Sequence, residues 1–350
     1  MNHVYPIPNG DIELGDFPYR RDDGWTNVVW IINEHCNLRC PYCVTGWIRA
    51  AGSNETIVDR VGIHGTVDRF RRISDMNGKR LYLTITGGEP TLVKNFVPLC
   101  EALGKAGFHI ELQTNLTTKH AMDWIRAVDP AVVSQLTASY HGYCLDAKPK
   151  LKDLYLRNCQ AAVERGMLCV VKTVVTCEEM GGIGEKVRRL EKEFPVGAPI
   201  LPWVYIKGQP KARDNPNGSY PHAYTVEEGR ILDVVTRYRK VCQRLYRRGA
   251  GFFQGMHCDA GRGFCVAERN GRISRCFGLR GKVVLGSLDD GNAVFASRQT
   301  PCPRKYCGTV FWGIWYGRNP LEYIPGDANE DLYCNRFGPR CVGCNVEGVR

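Results

Sequence analysis

Three cysteines, Cys36, Cys40 and Cys43, stand in the stretch EHCNLRCPYCVTGW, and eight more fall between residues 258 and 344. Thiolates at short, fixed spacing serve as ligands for zinc or iron–sulfur clusters, or pair as disulfides. The first twenty residues contain acids, two prolines before residue 10 and no apolar run, and no apolar stretch of about 18 residues occurs elsewhere. Neither a secretory signal nor a membrane span is therefore predicted, and the expected location is the cytoplasm. Disulfides are disfavoured there, so the clustered thiols read as metal or redox sites. The isolated Cys100, Cys144, Cys159, Cys169, Cys177 and Cys242 read as small buried hydrophobes.

Structural zinc favours paired Cys-x2-Cys knuckles and closed four-ligand coordination. A [4Fe–4S] cluster held by three thiolates keeps one iron open for a chelating cofactor or substrate. The Cys-x3-Cys-x2-Cys spacing admits both readings and favours the cluster. The formal net charge of +11 would ordinarily point to an anionic partner such as nucleic acid. If the eleven clustered cysteines held one three-thiolate and two four-thiolate clusters, the holoprotein would carry about +6, which weakens that argument. YRKVCQRLYRRG (238–249) remains locally basic.

The elements that must position these thiols are legible from hydrophobic period. The runs TNVVWII, RLYLTIT, FHIELQT, VVSQLTASY, LCVVKTVVT and PILPWVYI alternate with helix-length segments. That alternation predicts an α/β fold with a parallel sheet and outer helices. Six units suit a partial (β/α)6 barrel, with its ligand site at the carboxyl ends of the strands. TVEEGRILDVVTRYRKVCQRLYRR reads as a long helix opened by a capping box of Thr225 and Glu228. Beyond it glycine, cysteine and aromatic residues dominate. A domain boundary is placed near 250, with residues 1–250 as the partial barrel and 251–350 as a small cysteine-rich domain.

The residues around the first thiols resemble the radical S-adenosylmethionine (radical SAM) superfamily. Its cysteine loop resembles Cys36, Cys40, Tyr42 and Cys43, and its glycine-rich strand end resembles Gly87-Gly88-Glu89-Pro90 in LTITGGEPTL. The resemblance implies a [4Fe–4S] cluster on Cys36, Cys40 and Cys43 whose open iron takes SAM. It implies that Gly87, Gly88 and Glu89 receive the methionine amine and that Tyr42 lies near the adenine. LQTNL and TASYHG resemble further SAM-contacting strand ends, which adds Gln113, Asn115 and Ser139 as expected contacts. Lys148, Lys150 and Lys152 are candidates for the SAM carboxylate, and His141 reads as polar lining. The implied chemistry is one-electron cleavage of SAM to methionine and a 5′-deoxyadenosyl radical, then hydrogen abstraction. A reducing partner such as flavodoxin or ferredoxin would supply the electron.

In CDAGRGFCVAERNGRISRCFG, two runs flank Asn270-Gly271, a strong hairpin signal. A two-residue turn there would place Cys265 opposite Cys276, about 4.5–5.5 Å apart at Cβ. The segment resembles the SPASM/Twitch extension of radical SAM enzymes at Cys258, Gly271 and Cys276. Cys302-x4-Cys307 and Cys334-x6-Cys341-x2-Cys344 depart from the full SPASM spacing. One reading is two auxiliary [4Fe–4S] clusters using Cys258, Cys265, Cys276, Cys302, Cys307, Cys334, Cys341 and Cys344. The other is one Twitch-like cluster on Cys258, Cys276, Cys341 and Cys344, leaving Cys302, Cys307 and Cys334 as core residues or a zinc site. VFWGIWYG (310–317) reads chiefly as packing, and Glu268, Asp289 and Asp290 are assigned no role.

The expected reaction oxidises or crosslinks a residue in a peptide or protein, because auxiliary clusters in the resembling family commonly serve such substrates. Only 35 residues precede Cys36, too few for an amino-terminal leader-binding domain, so a partner would supply one. The alternatives are dehydrogenation or rearrangement of a small sugar- or nucleotide-like molecule, and modification of a nucleic acid. A non-enzymatic iron–sulfur carrier would have no need of the glycine–glutamate motif.

Overall fold

The computed structural model describes residues 24–40, 42–43, 55–195, 198, 200–204 and 257–303. The six apolar runs form strands β1 (Trp25–Asn33), β2 (Arg80–Gly87), β3 (His109–Thr114), β4 (Val133–Tyr140), β5 (Cys169–Val175) and β6 (Ile200–Val204). All five neighbouring pairs are parallel and follow chain order. Between them lie α1 (Ile57–Asn77), α2 (Phe96–Lys105), α3 (Lys119–Ala127), α4 (Gly142–Leu145), α5 (Pro149–Glu164) and α6 (Ile183–Glu193). This is the parallel α/β architecture of a partial (β/α)6 barrel.

Local chemistry sets the helix ends. At α1 the Thr56 hydroxyl accepts from the Asp59 amide while the Asp59 carboxylate accepts from the Thr56 amide, and Gly78 closes the helix in the left-handed region at φ 57°. Thr118 caps α3 in the same manner, accepting from the Ala121 amide.

The two faces of the sheet differ in kind. On the helix side Trp30, Leu83, Leu112 and Tyr140 pack with Phe70, Leu99, Trp124 and Tyr155 of the helices. Full burial contributes about 1.5–3 kcal/mol for each large apolar side chain. The alternate residues point inward, and there Thr84, Glu111, Gln135 and Thr137 are buried polar groups. A buried carboxylate needs donors, and Glu111 accepts from Tyr82, Thr84, Gln113 and Thr137.

The carboxyl-terminal part adds β7 (His257–Cys258), β8 (Phe264–Ala267), β9 (Arg272–Ser274), β10 (Val284–Ser287), β11 (Asn292–Ala293) and β12 (Thr300–Pro301). β8 pairs in parallel with β1, so the barrel sheet continues outward through β8, β9, β10 and β11. β7 and β12 form a separate antiparallel pair. Asp289 pairs with Arg60 of α1 at 2.6 Å, and Asn77 of α1 bonds the backbone of Ala293 and Phe295.

The β8–β9 hairpin departs from the expected turn. Val266 faces Ser274 and Ala267 faces Ile273, and Glu268 donates to the Arg272 carbonyl at 2.8 Å. The loop is therefore Arg269-Asn270-Gly271, with Gly271 left-handed at φ 84°. One extra loop residue slips the register by one and exchanges the faces. Cys265 accordingly does not oppose Cys276. The helix expected from Thr225, the basic stretch 238–249, the boundary near 250 and the aromatic run 310–317 lie outside the described residues. Among the described residues no helix is long and apolar enough to cross a membrane.

Candidate functional site

The site is assembled where β1, β2 and β3 end. Gly88 lies directly beneath the cysteine loop: a Cβ there would sit 2.2 Å from the His35 carbonyl oxygen, and one on Gly87 would sit 2.5 Å from that of Asn33. Only glycine permits this approach. Backbone bonds follow from it, Gly88 donating to Asn33 at 3.1 Å and Glu89 to His35 at 2.7 Å.

Glu89 is the keystone of this junction. Fully buried, it accepts from the Thr91 amide and hydroxyl, the Thr114 hydroxyl at 2.6 Å and the Asn115 amide at 2.7 Å. Asn33 meanwhile donates to the Glu89 carbonyl at 2.8 Å. Burial pushes the Glu89 carboxyl upward while those hydrogen bonds pull it back. One carboxyl thus joins the ends of β2 and β3.

Asn115 continues the junction into the cysteine loop. Its side-chain amide donates to Asn37 at 2.9 Å and to the Cys36 sulfur at 3.6 Å, and its carbonyl accepts from Thr117. Leu38 gives the Cys36 sulfur a second N–H at 3.4 Å. Burial, together with the nearby Glu89 and Cys43 charges, pushes the Cys36 thiol up to about 11. Cys40 is raised further, by burial and then by Cys144, whose side chain hydrogen-bonds it. Buried neighbouring thiolates are unstable on their own and suit a multivalent cationic centre, so this donor set fits an iron–sulfur cluster. Among the described residues no three His, Cys, Asp or Glu side chains converge on a single-ion position, whereas ligands of a cluster bind different irons.

Tyr42 is fixed from the other side. Its hydroxyl is 3.1 Å from His141 Nδ1 and its ring meets Tyr143 edge-on at 6.0 Å between centroids. Burial and then the Lys172 charge push His141 down to about 4, which keeps it neutral at pH 7. His141 thus supports Tyr42, beyond its expected part as lining, and Cys144, expected to be an ordinary buried hydrophobe, touches the cluster loop.

The remaining expectations divide. Ser139 is half-buried on the inner face, with Lys172 its register partner. Gln113 is turned to the floor, donating to Glu111 at 2.9 Å, and Asn115 is committed to the cysteine loop, so both are structural ties in this arrangement. Lys148 and Lys150 are exposed, and Lys152 is engaged by Glu193 at 2.7 Å and Asp146 at 3.3 Å. Among the described residues a basic side chain on the inner face is Lys172, whose signal in the sequence was a lone charge within the strand CVVKTVV.

In the carboxyl-terminal part, Cys258 lies within electrostatic reach of Cys276 and Cys302. Burial first, and those two thiols among the rest, push it up to about 12, while the Ala260 amide and Arg275 pull it down. Cys265 is separate. It is fully buried in the main core, faces Val28 of β1, and its thiol is raised by burial alone. The register slip keeps Cys265 from facing Cys276 as expected, and Cys265 packs in the core instead. Cys307, Cys334, Cys341 and Cys344 lie outside the described residues. Glu268 pairs with Arg280 at 3.1 Å and accepts from Ser274, so it braces the hairpin.

Comparison with known proteins shows what this chain is similar to. The radical SAM superfamily profile matches residues 30–189. GTP 3′,8-cyclase of Haemophilus ducreyi is 32% identical over 108 residues, 30% of this chain and 30% of that protein. 7-carboxy-7-deazaguanine synthase of Rhodopirellula baltica is 27% identical over 180 residues, 47% of this chain and 62% of that protein. The chain thus spans less than two thirds of the length of either curated relative. Among solved structures, anSMEcpe with bound AdoMet superposes with a TM-score of 0.53 at 16% identity over 76% of this chain and 78% of that one. Streptococcus suis SuiB bound to S-adenosylmethionine gives 0.52 at 15% identity over 76% and 64%. At these identities the likeness is one of fold. The profile match identifies residues 30–189 as a radical SAM domain, and the cysteine loop seated on its glycine–glutamate strand end lies within it.

Proposed function

We propose that this chain is a radical SAM enzyme whose Cys36, Cys40 and Cys43 hold a [4Fe–4S] cluster open at one iron. The observation that carries the reading is the Glu89 junction, which binds the strand-end glycines, β3 and, through Asn115, the cysteine loop into one unit. When bound, the cluster supplies the electron that cleaves SAM and generates the radical that abstracts hydrogen from the substrate. The residues of the chain position that chemistry. Gly87 and Gly88 let the cysteine loop seat on the end of β2, Tyr42 is oriented by His141, and the N–H groups of Leu38 and Asn115 stabilise charge on the Cys36 sulfur.

Cys258, Cys276 and Cys302 are proposed as ligands of an auxiliary cluster completed from the later cysteines, and the division near residue 250 into barrel and auxiliary domain belongs to the same proposal. The favoured substrate is a residue of a peptide or protein. Its support is fold likeness reaching into the auxiliary part, to proteins that include SuiB bound to precursor peptide SuiA, with a TM-score of 0.51. A small-molecule substrate is the second reading, favoured by the names of the two curated relatives and by the charged inner face of the barrel.

The test is 5′-deoxyadenosine formation by the anaerobically reconstituted, reduced protein, with peptide, small-molecule and nucleic-acid pools added separately. Stimulation by one pool identifies the substrate class, and Ala at Cys36, Cys40 and Cys43 should abolish the product. No product from a protein with verified iron and bound SAM would overturn the radical reading.

A further inference from the structure

Strand β4 runs almost directly into α4, where the Cys144 amide donates to the His141 carbonyl at 2.8 Å. Tyr42 ties this turn to the cysteine loop. Its hydroxyl is 3.1 Å from His141 Nδ1, and its ring centroid is 5.9 Å from that of His141 and 6.0 Å from that of Tyr143. Cys144 follows Tyr143, and Cys40 stands two residues before Tyr42. The ring contacts therefore bring the two thiols together, and their side chains are hydrogen-bonded. Both are half-buried, so a molecule as small as hydrogen peroxide can reach them.

Cys144 is the thiol best placed to react with Cys40. The Cys36 sulfur is engaged by the Leu38 amide at 3.4 Å and the Asn115 side chain at 3.6 Å, and both Cys36 and Cys43 act on Cys40 more weakly than Cys144 does. With iron bound, Cys40 is occupied as a ligand. Once oxidation removes the iron, its sulfur is left beside a second thiol. Hydrogen peroxide then converts one of the two thiols to a sulfenic acid with release of water, and the other displaces a second water to close the S–S bond. One peroxide is reduced and two thiols are oxidised, leaving a disulfide and two waters. A sulfenic acid without a thiol neighbour proceeds to sulfinic acid, which thiols do not restore, whereas a dithiol reverses the disulfide by exchange.

We propose that Cys40 and Cys144 form a reversible disulfide when oxidation strips the cysteine loop of iron. The bond preserves Cys40 for reuse and makes reloading depend on a dithiol reductant, in the manner of the transient redox-sensing disulfides that reducing compartments tolerate. The proposal rests on the reading of Cys40 as a cluster ligand, while the pairing of the two thiols rests on their contact alone.

The test exposes the full-length, anaerobically purified holoprotein to hydrogen peroxide, alkylates it without reduction and locates each cysteine by tandem mass spectrometry. The peptide bearing Cys40 should be joined to the peptide bearing Cys144, at a mass two hydrogens below their sum. Dithiothreitol should return both thiols, after which added iron and sulfide restore the starting iron content. In Cys144→Ser, which should begin with the wild-type iron content, Cys40 should instead gain two or three oxygens and the restored iron should fall several-fold. Wild-type protein in which Cys40 is linked to Cys36 or Cys43, or is recovered as sulfinic acid, overturns the proposal, and this map stands without the variant. A Cys144→Ser protein that reloads as fully as wild type also overturns it. If the purified wild-type protein holds no iron, the ligand reading falls, whereas the peroxide map still reports whether the two thiols pair.

Discussion

Arg269, in the β8–β9 loop, lies 3.3 Å from the Glu34 carboxylate, two residues before Cys36, and donates to the Glu55 carbonyl beyond the cysteine loop at 3.3 Å. The hairpin of the auxiliary part therefore grips both ends of the loop that presents the proposed cluster ligands. The ion pair is partly exposed, so its contribution to global stability is at most about 1 kcal/mol. Arg269→Ala should leave the melting temperature within a few degrees of wild type, because about 1 kcal/mol shifts even a domain of about 150–250 residues by only roughly 2–4 °C. It should speed the loss of iron to a chelator, since the loop loses a restraint at each end. Identical release rates in variant and wild type would show that the grip is incidental.

The Glu89 junction is a harsher place to intervene. Glu89→Gln puts a donor where the carboxylate accepts from two amides and two hydroxyls, leaving at least one buried N–H unpaired at a cost of about 1–3 kcal/mol. Gly88→Ala drives a methyl into the His35 carbonyl, so the cysteine loop must lift. Urea denaturation should show the Gln variant destabilised, and equilibrium dialysis should show SAM binding weakened in both. Unchanged SAM affinity in a folded Gly88→Ala protein would separate the loop from the cofactor site.

The sequence made the six strands legible because the helix-side apolar residues recur at every second position of short runs, and the glycine–glutamate motif because close approach admits only glycine. It did not reveal the clasp role of Asn115 or the turn of Gln113 toward Glu111, because a polar residue at a strand end reads alike whether it meets a cofactor or a neighbouring loop. Cys144 looked isolated in sequence and became a neighbour of Cys40 only once α4 folded back onto the cysteine loop. The hairpin misled for a specific reason: Asn-Gly favours a two-residue turn, yet a three-residue loop with left-handed glycine accepts the same pair, and only the pairing across the strands distinguishes them.

That single slip yields a prediction about iron. Cys265 faces the core, whereas Cys276 and Cys302 lie within electrostatic reach of Cys258. Cys265→Val should hold the wild-type iron content and cost less than about 1.5 kcal/mol as a near volume-conserving core change. Cys276→Ala should lower the iron content yet spare some uncoupled SAM cleavage, because the cysteine-loop cluster is a different site. Iron analysis and 5′-deoxyadenosine assays on the two variants check both halves. Iron loss from Cys265→Val would return that thiol to the ligand set, and complete loss of uncoupled cleavage in a folded, iron-bearing Cys276→Ala protein would end the division of labour.

The last expectation concerns acid. His141 ordinarily titrates near 6.5, and burial with the Lys172 charge lowers it to about 4 in the folded chain. Between those values the unfolded chain holds a proton at this imidazole that the folded chain does not, so stability falls as pH drops from about 6.5 to about 4. Below that window the loss is complete, because both states are protonated. His141→Asn removes the titration and keeps a polar partner for the Tyr42 hydroxyl. The difference in melting temperature between wild type and variant should therefore narrow or reverse on going from pH 7 to pH 4.5, with wild type losing more. Parallel curves for the two proteins would mean that His141 is not held neutral, and would remove the constraint it places on the orientation of Tyr42.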